Sequence, residues 1–221
     1  MNWFARAFSG SIGRKLIMSL TGIFLISFLI VHLSGNFLLI RDDGGVAFNA
    51  YAHFMKENPI IKLMEIVLAF GFIFHIVFAA FLTSSNKKAR PTAYAHNNAS
   101  ANSSWFSRNM GLTGSIILIF LILHLRTFFI PHKAGWFEPR ADNMYDEAVI
   151  AFSSGLYVLF YVFAMILLAF HLVHGFSSAF QTLGLRHPKY FPAIRLIGYG
   201  FAIIVPLLFA FIPVYMYFAQ Q

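Results

Sequence analysis

The chain of 221 residues is 59% hydrophobic and only 11% charged, whereas about a quarter of the residues in soluble domains carry a charge. With a mean hydropathy of +0.71, this composition excludes a water-soluble domain and predicts an integral membrane protein in contact with lipid. The net charge of +8 does not indicate nucleic-acid binding, because the basic residues flank apolar segments. The lack of cysteine excludes disulfides, thiolate metal sites and thioether-linked haem on this chain.

Five apolar segments are long enough to cross a bilayer, since about 20 residues span a hydrocarbon core of about 30 Å. They cover residues 16–40, 60–83, 110–130, 149–180 and 192–218. The first is longer than the apolar part of a secretory signal and is expected to remain as a helix. The fourth exceeds the necessary length, which predicts a tilt or an extension into water. The sequence therefore predicts an all-α membrane protein in which residues 1–221 form one domain of five transmembrane helices.

Charged residues at the ends of these segments predict the orientation. Basic residues precede the first segment and lie between the second and third and between the fourth and fifth, whereas acidic residues occupy the alternate connections. By the positive-inside tendency, the basic ends and the N-terminus are cytoplasmic. The basic residues are Arg6, Arg14, Lys15, Lys87, Lys88, Arg90, Arg108, Arg186, Lys189 and Arg195, and the acidic ones are Asp42, Asp43, Glu57, Glu138, Asp142, Asp146 and Glu147.

A short amphipathic helix is predicted over residues 48–57, between the first two segments. Phe48 and Tyr51 recur at helical spacing on one face, and Asn49 and His53 lie on the other. Such a helix is typical of the membrane interface, here on the outer side.

Four histidines lie one in each of the first four segments: His32, His75, His124 and His171. A single histidine at membrane depth is as often a hydrogen-bonded core residue as a functional one, but four on four helices indicate function. Their distances from the basic flanks, at about 1.5 Å per residue, predict that His32 pairs with His124 in the outer half. His75 and His171 then pair nearer the cytoplasm, although the flanks separate the two depths only weakly.

Two imidazoles from facing helices, without a thiolate or carboxylate beside them, suit the axial positions of a haem b iron. Zinc would require three or four ligands at one depth, and a proton relay would more often include acids, of which Glu65 is the only clear one in a span. The sequence thus predicts two stacked haems b inside a bundle of the first four helices. His174, one turn after His171, is an alternative fourth ligand.

Residues near the ends of the haem-binding helices are candidates for holding the haem propionates. Arg126 follows His124 by two residues on the outer side, and Arg14, Lys15 and Ser19 lie on the inner side. Arg14 and Lys15 fit equally well as a plain positive-inside flank. Small residues would allow close approach of haem edges or helices: Gly22, Gly35, Gly71, Gly114, Gly155 and Gly175.

These segments resemble a known family, the five-helix dihaem cytochrome b subunits of succinate:menaquinone and menaquinol:fumarate oxidoreductases. The resemblance is carried by residues 28–33, 48–55, 65–75, 123–124 and 170–175. In that family the fourth-helix ligand sits four residues before a glycine, which matches His171 and Gly175. The resemblance implies an electron-transfer and quinone-reactive subunit of respiratory complex II in a bacterial cytoplasmic membrane, without a dicarboxylate-oxidising site of its own.

The resemblance also implies partners: a flavoprotein that carries FAD and an iron–sulfur subunit that docks on the basic inner face. Some menaquinol:fumarate reductases have a glutamate two residues before the fourth-helix ligand for transmembrane proton transfer, and Ala169 stands there in this chain. This departure favours succinate oxidation by menaquinone over fumarate reduction.

The menaquinone site is predicted at the outer interface, because quinone reduction requires an apolar slot, polar groups at the carbonyls and a proton source. Its candidate residues are Arg41, Asn49, His53 and Glu57, and a solvated polar face is the alternative explanation for them. A competing inner site would use Ser19, Arg14 and Gln181.

Two other classes of function remain open from the sequence alone. A haem-free transporter fits the many spans and intramembrane histidines, but a clear inverted repeat and paired broken helices are not visible. An anchor for a hydrogenase or formate dehydrogenase would keep haem and quinone and change the partners.

Overall fold

The computed structural model describes residues 10–88, 104–137 and 141–219, and these residues are almost entirely helical. The helices are α1 (Ser11–Asn36), α2 (Val46–Glu57), α3 (Pro59–Lys88), α4 (Trp105–Arg108), α5 (Met110–His124), α6 (Ile130–Ala134), α7 (Met144–Phe152), α8 (Gly155–Thr182) and α9 (Phe191–Ala219). A 3-10 turn, Phe37–Ile40, extends α1. A π-helical segment, Leu125–Phe129, joins α5 to α6. Arg6, Arg90 and Glu138, which contributed to the predicted orientation, lie outside the described residues.

Within the described residues, five segments are long and apolar enough to cross a membrane: Ser11–Ile40, Pro59–Lys88, Met110–Ala134, Gly155–Thr182 and Phe191–Ala219. Each has between 25 and 30 residues, which exceeds the roughly 20 that a bilayer requires. The predicted all-helical architecture with five spanning segments is therefore confirmed, and the chain has the form of a multi-pass membrane protein.

The fourth span differs from the single segment predicted over residues 149–180. The helix breaks at Ser153 and Ser154, so that α7 and α8 are separate helices. Ser154 is extended, with φ −86° and ψ 109°, and the Ser153 hydroxyl donates to the Ile150 carbonyl at 2.7 Å. Serine side chains compete for backbone groups in this way and favour helix ends over helix interiors. Part of the surplus length is thus a distinct helix before the span, and the tilt of the remaining 28-residue helix stays a prediction.

The predicted amphipathic helix is confirmed as α2, which starts two residues earlier than expected. Its Phe48 is buried, whereas His53 is exposed. The chain enters α2 through Gly44 and Gly45, whose φ angles are +63° and +85°. Other residues rarely adopt this left-handed conformation.

The four histidine-bearing helices form a ring. Helix α1 packs against α3 and α8, and α8 also packs against α5, while α3 and α5 touch only slightly. Consequently α1 faces α5 across the interior, and α3 faces α8. Helix α9 packs on the outside of this ring against α8 and α1.

Candidate functional site

The structure brings the four span histidines together as two pairs. The ring centres of His32 and His124 are 5.7 Å apart with an interplanar angle of 86°. The ring centres of His75 and His171 are 6.3 Å apart with an angle of 61°. Each pair joins two helices that face each other across the ring, so both pairs lie in the interior of the bundle.

The two pairs lie at different depths, which three helices indicate independently. Thr21 contacts His75 and lies eleven residues before His32 on α1, or about 16 Å at 1.5 Å per residue. Tyr161 contacts His124 and lies ten residues before His171 on α8, or about 15 Å.

The third helix, α5, gives the same separation in depth between the two pairs. Gly114 lies against His171 and precedes His124 by ten residues on α5, which again corresponds to about 15 Å. The pair formed by His32 and His124 is called the outer pair below, and the pair formed by His75 and His171 the inner pair.

Aromatic rings surround the outer pair. Phe28 stacks on His32 with ring centres 5.2 Å apart, and Phe209 lies 5.6 Å from the same ring. Phe120 and Phe128 lie 5.7 and 5.3 Å from His124. These rings give the outer pair an apolar environment.

The hydrogen bonds of the outer pair differ between its members. His124 Nδ1 is 2.9 Å from the Tyr161 hydroxyl oxygen, which leaves Nε2 available for another partner. His32 Nε2 is 3.4 Å from Asn36 Nδ2, a long contact that a metal bound at Nε2 would displace. The outer pair thus has one histidine oriented by a short hydrogen bond and one held loosely.

Small residues surround the inner pair. A Cβ added to Gly22 would lie 3.6 Å from His75 Cε1, and one added to Gly114 would lie 3.5 Å from His171 Cε1. His75 Nδ1 is 3.3 Å from the Thr21 hydroxyl. His171 Nδ1 is buried and has no hydrogen-bond partner among the described residues. A buried polar atom without a partner requires an explanation, and a bound group beside it is one such explanation.

The donor set fits a haem iron at each pair. Imidazole–metal bonds are about 2.0–2.1 Å long, so two imidazoles on opposite sides of one ion would have ring centres roughly 6.4 Å apart. The inner pair, at 6.3 Å, matches this spacing, and the outer pair, at 5.7 Å, is somewhat closer. Within the described ranges, no group of three or more His, Cys, Asp or Glu residues converges on one point, so the arrangement at each level is a pair.

His174 is half-buried on α8, one turn after His171. The ring that lies against His75 is that of His171. This contact favours His171 over His174 as the fourth ligand, and ligation itself stays a prediction.

No described hydrogen bond or ion pair joins the predicted propionate residues to the histidine pairs. Ser19 is buried, and its hydroxyl donates to the Lys15 carbonyl at 2.9 Å. The Arg14 guanidinium lies 5.7 Å from the Phe81 ring centre, and Lys15 is exposed. Arg126 is exposed in the π-helical segment. Ser19 lies two residues before Thr21, which contacts His75, and is thus near the level of the inner pair. Arg126 lies two residues after His124 and is thus near the level of the outer pair.

The four predicted quinone residues are not brought together by any described hydrogen bond or ion pair. Arg41 pairs with Asp43 at 3.2 Å, Glu57 with Lys62 at 3.7 Å, and His53 is exposed.

Asn49 has a structural use. Its Nδ2 donates to Asn143 Oδ1 at 2.9 Å, and its Oδ1 accepts from the Tyr145 backbone N–H at 3.0 Å. Asn49 thus ties α2 to the start of α7, which leaves the exposed Arg41, His53 and Glu57 as the more accessible candidates.

Two features near the outer pair were missed by sequence reasoning. The π-helical segment Leu125–Phe129 begins directly after His124, and such segments occur frequently at functional sites. The Tyr157 hydroxyl donates to Thr127 within it at 2.9 Å. The spacing of Tyr157 and Tyr161 by one helical turn was the available signal, but nothing in the sequence indicated which helix the hydroxyls face.

A third missed feature is an ion pair between spans. Glu65 of α3 pairs with Lys133 of α6 at 2.5 Å, with both side chains about one-third exposed. The acid that stood alone in the sequence therefore has a basic partner at the end of the third span.

No family model, curated protein or solved structure matches the chain.

Proposed function

We propose that this chain is a two-haem cytochrome b that anchors a succinate dehydrogenase in the bacterial cytoplasmic membrane and passes electrons between the iron–sulfur subunit and menaquinone. The observation that supports this most directly is the pair of histidine contacts across the bundle, separated in depth by about 15 Å. Two pairs of nitrogen ligands in an apolar interior suit two haems b better than any other common cofactor.

Each histidine has a defined role in this proposal. His32 and His124 hold the outer haem, and His75 and His171 hold the inner one. Arg14, Lys15 and Ser19 are proposed for the inner propionates and Arg126 for the outer ones. A bound haem b supplies a one-electron couple between ferric and ferrous iron. The chain itself positions the imidazoles, excludes water with the surrounding phenylalanines and fixes the distance between the two levels.

The partners follow from the charge at one end of the bundle. The start of α1, the end of α3 and the turn after α8 carry Arg14, Lys87, Lys88, Arg186 and Lys189. Because successive spans alternate in direction, these residues are proposed to lie on one side of the membrane, and the positive-inside tendency favours the cytoplasmic side. The iron–sulfur subunit is proposed to dock there and to connect the inner haem with the FAD-containing flavoprotein.

Menaquinone is proposed to react at the outer end, next to the outer pair, with His53 and Glu57 as polar groups and Arg41 nearby. Menaquinone is a weak oxidant for succinate. Electron movement towards the outer side would be driven by the membrane potential, which contributes about 2.3 kcal/mol per charge and 100 mV. The same residues would serve a menaquinol:fumarate reductase running in the opposite direction.

The proposal is tested with the complete complex, purified through a tag on this chain. Succinate, added without oxygen, is expected to produce the reduced spectrum of haem b, and a menaquinone analogue is expected to reoxidise it. Malonate, which competes with succinate at the flavoprotein, serves as the control and should prevent the reduction. A haem spectrum that responds to hydrogen or formate instead would assign the anchor to another enzyme. A preparation without haem would overturn the proposal.

A further inference from the structure

A row of hydroxyl groups leads away from the outer pair between the third and fourth spans. His124 Nδ1 is 2.9 Å from the Tyr161 hydroxyl oxygen. The Tyr157 ring lies one turn earlier on α8, with its centre 5.0 Å from that of Tyr161, and the Tyr157 hydroxyl donates to Thr127 Oγ1 at 2.9 Å. The row therefore begins at a proposed iron ligand and ends in the π-helical segment that follows the same ligand.

Iron at Nε2 would assign the tautomer of His124. An imidazole that gives its Nε2 lone pair to a metal keeps its proton on Nδ1, so the 2.9 Å contact would then run from the His124 Nδ1–H to the Tyr161 oxygen. A tyrosine oxygen can accept this bond and keep its own proton for another partner.

We propose that Tyr161 is a positioning residue that holds His124 in the iron-binding tautomer and sets the potential of the outer haem. This inference rests on the proposed function. A hydrogen bond accepted from the far nitrogen of a ligating imidazole fixes the ring and raises its basicity. A more basic ligand stabilises ferric over ferrous iron, so the Tyr161 hydroxyl lowers the reduction potential.

The inner pair lacks an equivalent bond. His171 Nδ1 has no hydrogen-bond partner among the described residues, and the contact from His75 Nδ1 to Thr21 is longer, at 3.3 Å. The hydroxyl row is thus a property of the outer pair, and its removal is expected to affect one of the two haems.

Packing is the competing explanation for Tyr161. Its ring is buried and lies 4.9 Å from Phe120 and 5.2 Å from Phe152. The substitution Tyr161→Phe keeps the ring and removes only the hydroxyl, so it separates the two explanations. The matched control is Tyr199→Phe, which removes an aromatic hydroxyl on α9 that bonds to Arg195 at 3.0 Å.

The test is a potentiometric titration of the purified complex, with dithionite as the reductant and ferricyanide as the oxidant. Tyr161→Phe is expected to raise one haem potential, with the reduction equilibrium changing on the order of tenfold, or about 59 mV for one electron. The other potential should stay unchanged, as should both potentials in Tyr199→Phe. Two bound haems with wild-type potentials in Tyr161→Phe would overturn the inference while leaving the proposed function intact.

A loss of haem in Tyr161→Phe is resolved by Phe152→Leu, which reduces the ring packing and keeps the hydroxyl. Retention of both haems in Phe152→Leu supports the positioning role, because only the hydroxyl then matters for holding His124. Loss of the outer haem in both variants would show that any change at this level removes the haem, so that the hydroxyl has no specific role, and it overturns the inference. A wild-type complex without haem would overturn the proposed function itself.

Discussion

The outer and inner pairs use the same residue type in different surroundings. The outer pair lies among phenylalanines and has a short hydrogen bond between His124 and Tyr161. The inner pair lies beside Gly22 and Gly114 and contains a buried nitrogen without a described partner. The difference indicates that the chain orients the outer imidazoles by hydrogen bonding and packing, whereas at the inner pair it mainly leaves space. The two proposed haems would be held in these different ways and are therefore expected to differ in potential and in sensitivity to substitution.

Replacing a single histidine is expected to have the largest effect, because it should remove the haem of one pair and leave that of the other. His75→Ala or His171→Ala is expected to eliminate the inner haem and retain the outer one, whereas His32→Ala or His124→Ala should do the reverse, because each iron loses one of its two axial ligands. A pyridine haemochromogen assay with redox titration measures which haem is lost. His174→Ala is the control and should retain both. Two haems in His171→Ala would contradict the assignment.

The space at the inner pair can be removed without touching a ligand. Gly114→Leu is expected to push the His171 ring away, since overpacking costs about 1–3 kcal/mol, equivalent to roughly 5- to 150-fold weaker binding. Haem content should fall at the inner level only. Gly200→Leu, at a glycine with nothing within 4 Å of its Cβ position, is the matched control. Normal content of both haems in Gly114→Leu would show that this glycine is not part of the inner site.

The site of menaquinone reduction can be assigned to the end of the bundle near the outer pair or to the end near the inner pair. His53→Ala and Glu57→Gln are expected to slow menaquinone reduction several-fold, because they remove polar and proton-donating groups at the outer end. Haem content and succinate oxidation with an artificial dye should stay unchanged. Lys62→Gln, which removes the ion-pair partner of Glu57, controls for the surface charge. Full quinone activity in the first two variants would favour the inner site of Ser19, Arg14 and Gln181.

Thr21 should produce the smallest effect. Its hydroxyl contacts His75 at 3.3 Å, a long hydrogen bond of the kind that contributes about 0.5–1.5 kcal/mol at most. Thr21→Val is expected to move the inner potential by less than Tyr161→Phe moves the outer one, and Thr21→Ser should restore it. A larger shift at the outer haem than at the inner one would contradict the assignment of depth.

Much of the architecture was predictable because hydropathy reports membrane crossing directly. The five spans follow from it, as does α2 from its helical periodicity. The adjacency of His32 with His124 and of His75 with His171 agrees with the alternating direction of the helices. The separation of the two pairs in depth was only weakly predictable, because charged flanks need not end at one depth. Contacts in the structure, such as that of Thr21 with His75, define this separation.

Other features depend on contacts that a linear pattern does not contain. Hydropathy is continuous across Ser153 and Ser154, so it does not reveal the break between α7 and α8. Asn49 was predicted to bind quinone, because its hydrogen-bond partner Asn143 lies 94 residues away in the sequence and the pattern around Asn49 does not reveal it. The hydrogen bond of Tyr161 to His124 likewise depends on how α8 is rotated against α5, which packing determines.

The most direct test of the central claim is the number of haems per chain. The complex, purified in mild detergent, is analysed by the pyridine haemochromogen method and by quantitative amino-acid analysis of this subunit. The account predicts two haems b per chain that are reduced at two distinct potentials. One haem per chain, or none, would contradict it.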